Sequence, residues 1–249
     1  MGILKNITKE YFGETVREED MIDIDGLDVE IVSFTDNNGN IHRRGYKPKD
    51  GNNLKILLKR MIKVRGDEGD FNDIDTSDIE DMNYLFNYNE TFNGDITGWD
   101  VLKVKDMSYM FYDAYSFNQP IGNWKVSSVE DMNHMFCNAK SFNQPIGDWK
   151  VSNVTNMSNM FFGAESFDQP IGKWDVSSVK DMNSMFYYTT SFNQPIGEWN
   201  ISSVEYISYM FYRATSFNQD LSKWDLNEKY KTNMFDGCPI KDEYKPKMK

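Results

Sequence analysis

The sequence predicts an α/β repeat solenoid, on three observations. Tryptophan recurs at an interval of 25 residues, at Trp99, Trp124, Trp149, Trp174, Trp199 and Trp224. Phe92, Phe117, Phe142, Phe167, Phe192 and Phe217 keep the same interval, as do Ile96, Ile121, Ile146, Ile171 and Ile196, with Leu221 closing the row. Within each unit the apolar pattern switches between two periods, one suited to a strand and one to a helix.

The strand is expected at Pro145-Ile146-Gly147-Asp148-Trp149-Lys150-Val151, where Asp148 and Lys150 alternate with Trp149 and Val151. Such alternation buries one face, and Pro, lacking an amide hydrogen, belongs at a strand's first position. The helix is expected from Val129 to Ala139, where Val129, Met132, Met135, Phe136 and Ala139 fall on one helical face. Ser127 and Ser128, followed three residues on by Glu130 and Asp131, have the spacing of a capping box. A short parallel strand plus a short helix, repeated at this length, reads as a leucine-rich-repeat-like coil. One unit cannot enclose its own aromatic surface, so the units must stack. Each buried Phe or Trp then contributes about 4–6 kcal/mol gross, as an upper bound.

Four segments follow from this reading. Residues 1–50 form a small β-rich piece, in which 29–34 and 41–46 flank the hairpin turn signal Asp36-Asn37-Asn38-Gly39-Asn40. That turn superficially resembles a calcium loop, but Lys47 stands where a bidentate Glu is needed. Residues 51–69 hold a capping helix, a basic amphipathic run with Asn caps that covers the open end of the first unit. Residues 70–238 make about seven units, and 239–249 form a charged tail. Polar, irregular ends keep a stack of repeats from polymerising.

The net charge of −12 is uneven, with 22 acidic against 9 basic residues between Gly69 and Leu226. An acidic body argues against nucleic acid and against a polybasic membrane patch. No apolar run reaches the roughly 20 residues of a membrane span, so no membrane insertion is expected. The N-terminus as written shows neither a secretion signal nor a complete myristoylation motif, since Asn6 stands where Ser or Thr is wanted. A cytoplasmic location is therefore expected from the residues.

Chemistry is sparse. Cys137 and Cys238 have no repeat-related partner and read as structural thiols. His42 and His134 lie in unrelated contexts, and His134 occupies a column filled by Asn159, Ser184 and Tyr209 in later units. No catalytic triad, phosphate loop or zinc-spaced cluster is present, so no enzyme, cofactor or metal is expected. The acidic run from Asp67 to Asp81 reads as solvated charge at the end of the stack. Stacked Asn118, Asn143, Asn193 and Asn218 read as a ladder bonding neighbouring backbones, with amides offered to a glycan as the other use.

The variable columns beside Trp are the candidate partner surface. Before Trp stand Asn123, Asp148, Lys173, Glu198 and Lys223, whose sign alternates from Asp148 onward as cross-unit register support would. After Trp stand Asp100, Lys125, Lys150, Asp175, Asn200 and Asp225, which do not alternate.

The unit S-F-N-Q-P-I-G-x-W-x-V-S-x-V-x-x-M-x-x-M-F-x-x-A, running here from Ser116 to Ala139, resembles the BspA-like leucine-rich-repeat family. The resemblance is to the branch found in mycoplasma-type surface lipoproteins and covers roughly residues 71–239. It implies a repeat fold and a surface or adhesion role, although no lipobox cysteine stands in this sequence. The functional expectation is a monomeric protein–protein interaction module that uses the strand face for an unknown protein partner. The alternative is a cell-surface adhesin binding host protein or glycan.

Overall fold

Apolar residues three apart can line a helix, but they can equally line a chain of consecutive tight turns, and this protein uses turns. The structure, a computed structural model, describes residues 22–35, 41–226 and 232–248. Where the helix is expected, the amides of Met135, Cys137 and Ala139 bond the carbonyls three residues back, of Met132, His134 and Phe136. No helical ladder to the fourth residue back forms. His134 (φ 54°) and Asn138 (φ 56°) are left-handed, and the pair recurs at Tyr109/Asp113, Ser184/Tyr188 and Tyr209/Arg213. One left-handed residue costs an α-helix roughly 1–2 kcal/mol, and two placed four apart end it.

The amides freed in this way point along the stack. Those of Met132, His134, Phe136 and Asn138 donate to Asn156, Ser158, Met160 and Phe162 of the next unit, at 3.0, 2.9, 2.9 and 2.6 Å. The same set recurs from unit to unit. The expected strand is likewise a turn, closed by Trp149 N–H to Ile146 O at 3.1 Å. Pairing between units is reduced to single parallel bridges, Asp81 to Asp106 to Asp131 to Asn156 to Asp181 to Tyr206. The α/β repeat solenoid is therefore incorrect. The 25-residue units are stacked, but they contain neither a strand-and-helix pair nor a leucine-rich-repeat-like parallel sheet. Among the described residues the one α-helix lies before the repeats, and two two-stranded sheets lie at the chain's two ends.

The expected buried rows are buried all the same, because turns and helix put the same residues inward. Met132, Met135, Phe136 and Ala139 have no exposed surface. Two phenylalanine columns interlock along the stack. Phe111 and Phe117 lie 3.8 Å apart within a unit, Phe111 and Phe136 5.5 Å apart across units, and Phe117 and Phe142 6.0 Å apart. The indole N–H groups of Trp149, Trp174 and Trp199 donate to the carbonyls of Ile121, Ile146 and Ile171 in the preceding unit. The asparagine row bonds backbone, as in Asn143 N–H to Asn118 Oδ1 at 3.0 Å and Asn218 N–H to Asn193 Oδ1 at 2.9 Å.

The first end of the stack is closed by β1 (Val29–Thr35), β2 (Ile41–Pro48) and α1 (Gly51–Arg65). β1 and β2 are antiparallel, with Ile31 opposite Tyr46 and an irregularity between Val32 and Phe34. The turn signal at 36–40 lies outside the described residues. Tyr46 continues the hairpin into the first unit, donating to Asp73 O and accepting from Asp75 N–H, both at 2.8 Å. Lys47 pairs with Asp78 at 2.7 Å and Asp75 at 3.4 Å.

Helix α1 is capped by Asp50, whose carboxylate accepts from Asn53 N–H at 2.9 Å, rather than by an asparagine. It buries Leu54, Leu57, Leu58 and Met61, which share one helical face. Arg65 grips Asp73 through both guanidinium nitrogens, at 2.7 and 2.6 Å, and donates to Asp70 O. At the far end the tail folds back. β3 (Asp225–Leu226) pairs in parallel with β4 (Lys247–Met248), and Leu221 N–H bonds Tyr244 O.

Stacking at this closeness needs glycine at one column. A Cβ on Gly147 would sit 2.3 Å from the carbonyl oxygen of Pro170, and Gly122 and Gly172 meet Pro145 and Pro195 in the same way. Since the obstacle is backbone, it cannot rotate aside. Gly147→Ala is expected to destabilise the chain by about 1–3 kcal/mol, read as a lower urea midpoint with unchanged slope. An unchanged midpoint would mean that the units can separate without loss.

Candidate functional site

All eleven candidates beside Trp, from Asp100 to Asp225, have exposed side chains. The alternating row closes only once, where Lys223 pairs with Glu198, so register support from Asp148 and Lys173 is absent among the described ion pairs. In the second row, several members do local work. Asp100 accepts from Leu102 N–H at 2.9 Å, Asp175 from Ser177 N–H and Oγ, and Asn200 from Ser202 N–H. These acids and amides close the turn after Trp. Lys125 and Lys150 stay free of such bonds and, with Asn123 and Asp148, rim an open hollow of about 230 Å³. That lies below the usual 300–1,000 Å³ of a small-molecule pocket.

A second surface, which the sequence reading passed over, lies outside the turn ladder. Three columns of each unit lie there, half-buried or exposed except at Cys137 and Gly163. They read Tyr84, Tyr109, His134, Asn159, Ser184, Tyr209; then Asn87, Tyr112, Cys137, Phe162, Tyr187, Tyr212; then Tyr88, Asp113, Asn138, Gly163, Tyr188, Arg213. Stacking of units brings the rings together. Tyr84 lies on Tyr109 at 4.6 Å and Tyr109 on His134 at 4.3 Å, both nearly parallel. Phe162, Tyr187 and Tyr212 stack at 4.5 and 4.7 Å. Tyr84, Tyr88 and Tyr209 remain 41%, 69% and 37% exposed. The available signal was tyrosine recurring in columns that otherwise vary, noted only at His134 and only as variability.

Burial against the tyrosines holds His134 below its usual value, toward the neutral ring, with Nδ1 3.0 Å from Asn133 Oδ1. Burial, reinforced by Asp113, pushes the Cys137 thiol up to about 12. Burial also raises Cys238. Tyr112 is pushed up to about 12 by burial and then by Asp113. The side chain of His42 lies outside the described residues. Among the described residues no group of three or more His, Cys, Asp or Glu could hold a metal ion, and no helix is long and apolar enough to cross a membrane.

A family model described as "Mycoplasma protein of unknown function, DUF285" matches residues 57–162 and 143–245. The chain belongs to this family. The two matches run from within α1 through the repeats into the tail, with β1, β2 and β4 outside them. No curated protein and no solved structure matches the chain.

A thiol held near 12 carries almost no thiolate at pH 8. In a Cys238→Ser background, Cys137 is expected to react with a disulfide reagent on the order of a thousandfold more slowly in the folded than in the urea-unfolded chain. Equal rates would place Cys137 outside the core.

Proposed function

We propose that this chain is a protein-binding module that acts through the tyrosine-bearing face outside its turn ladder and does no chemistry of its own. The observation that carries this reading is the concentration of exposed rings in columns the stack does not need: Tyr84, Tyr88 and Tyr209 are exposed while every Phe of the two interior columns from Phe86 to Phe217 is buried. Tyrosine offers large contact area at low rotamer cost and is enriched at protein interfaces. Cys137, whose thiol burial keeps protonated, supplies no activated nucleophile on that face.

The ring geometry favours a protein over a glycan as partner. Sugars dock on an open ring face, whereas most of these rings cover one another, with Lys55 lying 5.8 Å over the outer side of Tyr84. The Trp-flanking row is the weaker candidate, because Asp100, Asp175 and Asn200 already close turns.

Serine is tolerated in the first column, as Ser184 shows, so Tyr84, Tyr109 and Tyr209 can be replaced together by Ser without altering the ladder. The triple variant is expected to keep its melting temperature within a few degrees and to lose at least tenfold in partner recovery in affinity capture. A second variant reverses charge at Lys125 and Lys150. Loss in that variant, with full recovery in the triple variant, would move the binding surface to the Trp row and overturn the reading.

A further inference from the structure

The tyrosine face carries the same pair of tyrosines twice, four units apart, and one position beside the pair changes from acid to base, while Tyr187 of the second copy has Asn87 as its counterpart. Tyr88 and Tyr188 are equivalent positions, as are Tyr112 and Tyr212, and Asp113 and Arg213. The backbones match, with Tyr88 and Tyr188 at φ 58° and 53° and Asp113 and Arg213 at φ 56° and 54°. In the second copy the guanidinium of Arg213 lies over both rings, 5.3 Å from the centre of Tyr188 and 5.6 Å from that of Tyr212, and donates to the Tyr188 hydroxyl. Tyr188 is half-buried there.

In the first copy the two rings remain, 5.2 Å apart and edge to face, while position 113 is a carboxylate. Tyr88 is left 69% exposed, the most open of the large apolar side chains described. Asp113 is held in place by Asn138 Nδ2 at 2.7 Å, which leaves its other oxygen open to a donor. Glu90 adds a second negative charge close by, since Asp113 and then Glu90 both act to raise the Tyr115 hydroxyl. The neighbouring cation, Lys140, is engaged with Glu165 at 3.2 Å and with the Tyr115 ring.

From this pair we infer that Tyr88, Tyr112 and Asp113 form a seat for an arginine side chain projected by a basic segment of another protein. The inference rests on the proposed binding role of this face and specifies its partner's chemistry. The chain itself shows that tyrosines at these two positions hold a guanidinium, there with the rings 6.1 Å apart and tilted by 50° and with Tyr187 stacked on Tyr212. Where its own guanidinium is missing, an acid stands in its stead, and the incoming group would gain a charged partner as well as two ring faces. A planar guanidinium can lie flat on a ring while its edge donates two parallel hydrogen bonds to a carboxylate, a geometry that an ammonium lacks. The surplus of acid along the repeat body would draw a basic segment toward the face.

The test is a titration of the full chain with an end-capped glycine-serine peptide containing one arginine, followed by NMR of labelled tyrosine rings. The Tyr88 and Tyr112 signals are expected to shift saturably, and the lysine version of the peptide to bind several-fold more weakly. Asp113→Arg installs at the first copy what the second copy already carries, and is expected to abolish the Tyr88 response. Asp113→Asn, which keeps a hydrogen-bonding side chain and removes the charge, is expected to weaken binding about tenfold. Arg213→Asp is the reciprocal exchange and is expected to create a second response at Tyr188. An unmoved Tyr88, an unchanged response in Asp113→Arg, or equal binding of the lysine peptide would overturn the inference. Should that happen while the triple Tyr→Ser variant still loses its partners, the binding face stands and only the arginine seat falls. Should the triple variant keep its partners, the face itself falls.

Discussion

Hydrogen bonding between units, from every second amide of the turn ladder to a carbonyl in the next unit, is the interaction on which the rest of this molecule depends. It takes up backbone donors that a helix would have used internally, so each unit is incomplete without its neighbour. A single bond of this kind contributes about 0.5–1.5 kcal/mol net. Four per unit, as from Met132 to Asn138, together offset the cost of holding residues such as His134 and Asn138 in the left-handed region. The phenylalanine columns follow from the same bonds, because units drawn this close bring equivalent rings to stacking distance. The glycines of the Gly147 column follow too, since a neighbouring carbonyl occupies the space a Cβ would need.

The same closeness governs the surface. Any residue type placed in an outward column becomes a row, and rows of rings or charges interact because their spacing is imposed from within. Tyr84, Tyr109 and His134 stack for this reason, although they are 25 residues apart in sequence. The rows divide by what they do for the stack. Asp81, Asp106, Asp131 and Asp181 each accept from the amide two residues on and close the start of the ladder. Asp100, Asp175 and Asn200 do the same after Trp. The tyrosine columns have no such duty, so their side chains can vary without disturbing the fold.

At both ends the stack is closed by chain that lies outside the repeat. Tyr46 and Lys47 of β2 and Arg65 of α1 turn the acidic start of the first unit, Asp73, Asp75 and Asp78, into bonded charge. Asp78 is held down at about 2 by hydrogen bonds from Lys103 and then Lys47. The acidic run that read as solvated end charge is therefore partly a docking surface for the hairpin and helix. Lys47 and Arg65 in this way pair basic residues ahead of the repeats with acidic residues of the first unit.

The sequence by itself determined the period and the buried rows. Each of these depends on residue type at a spacing, which one chain displays. It did not determine the conformation of the unit. Apolar residues at Val129, Met132, Met135, Phe136 and Ala139 suit a helix and a series of three-residue turns equally well, and Asp148-Trp149-Lys150-Val151 suits a strand and a turn. The choice is made by left-handed residues whose identities, Tyr, His, Ser, Arg, Asp and Asn, do not announce it, and by hydrogen-bond partners a whole unit away. The candidate surface was decided in the same way. Tyr88 lies open while Tyr188 is half-buried beside Tyr187 and under Arg213, 25 positions on, and only stacking makes Arg213 its neighbour.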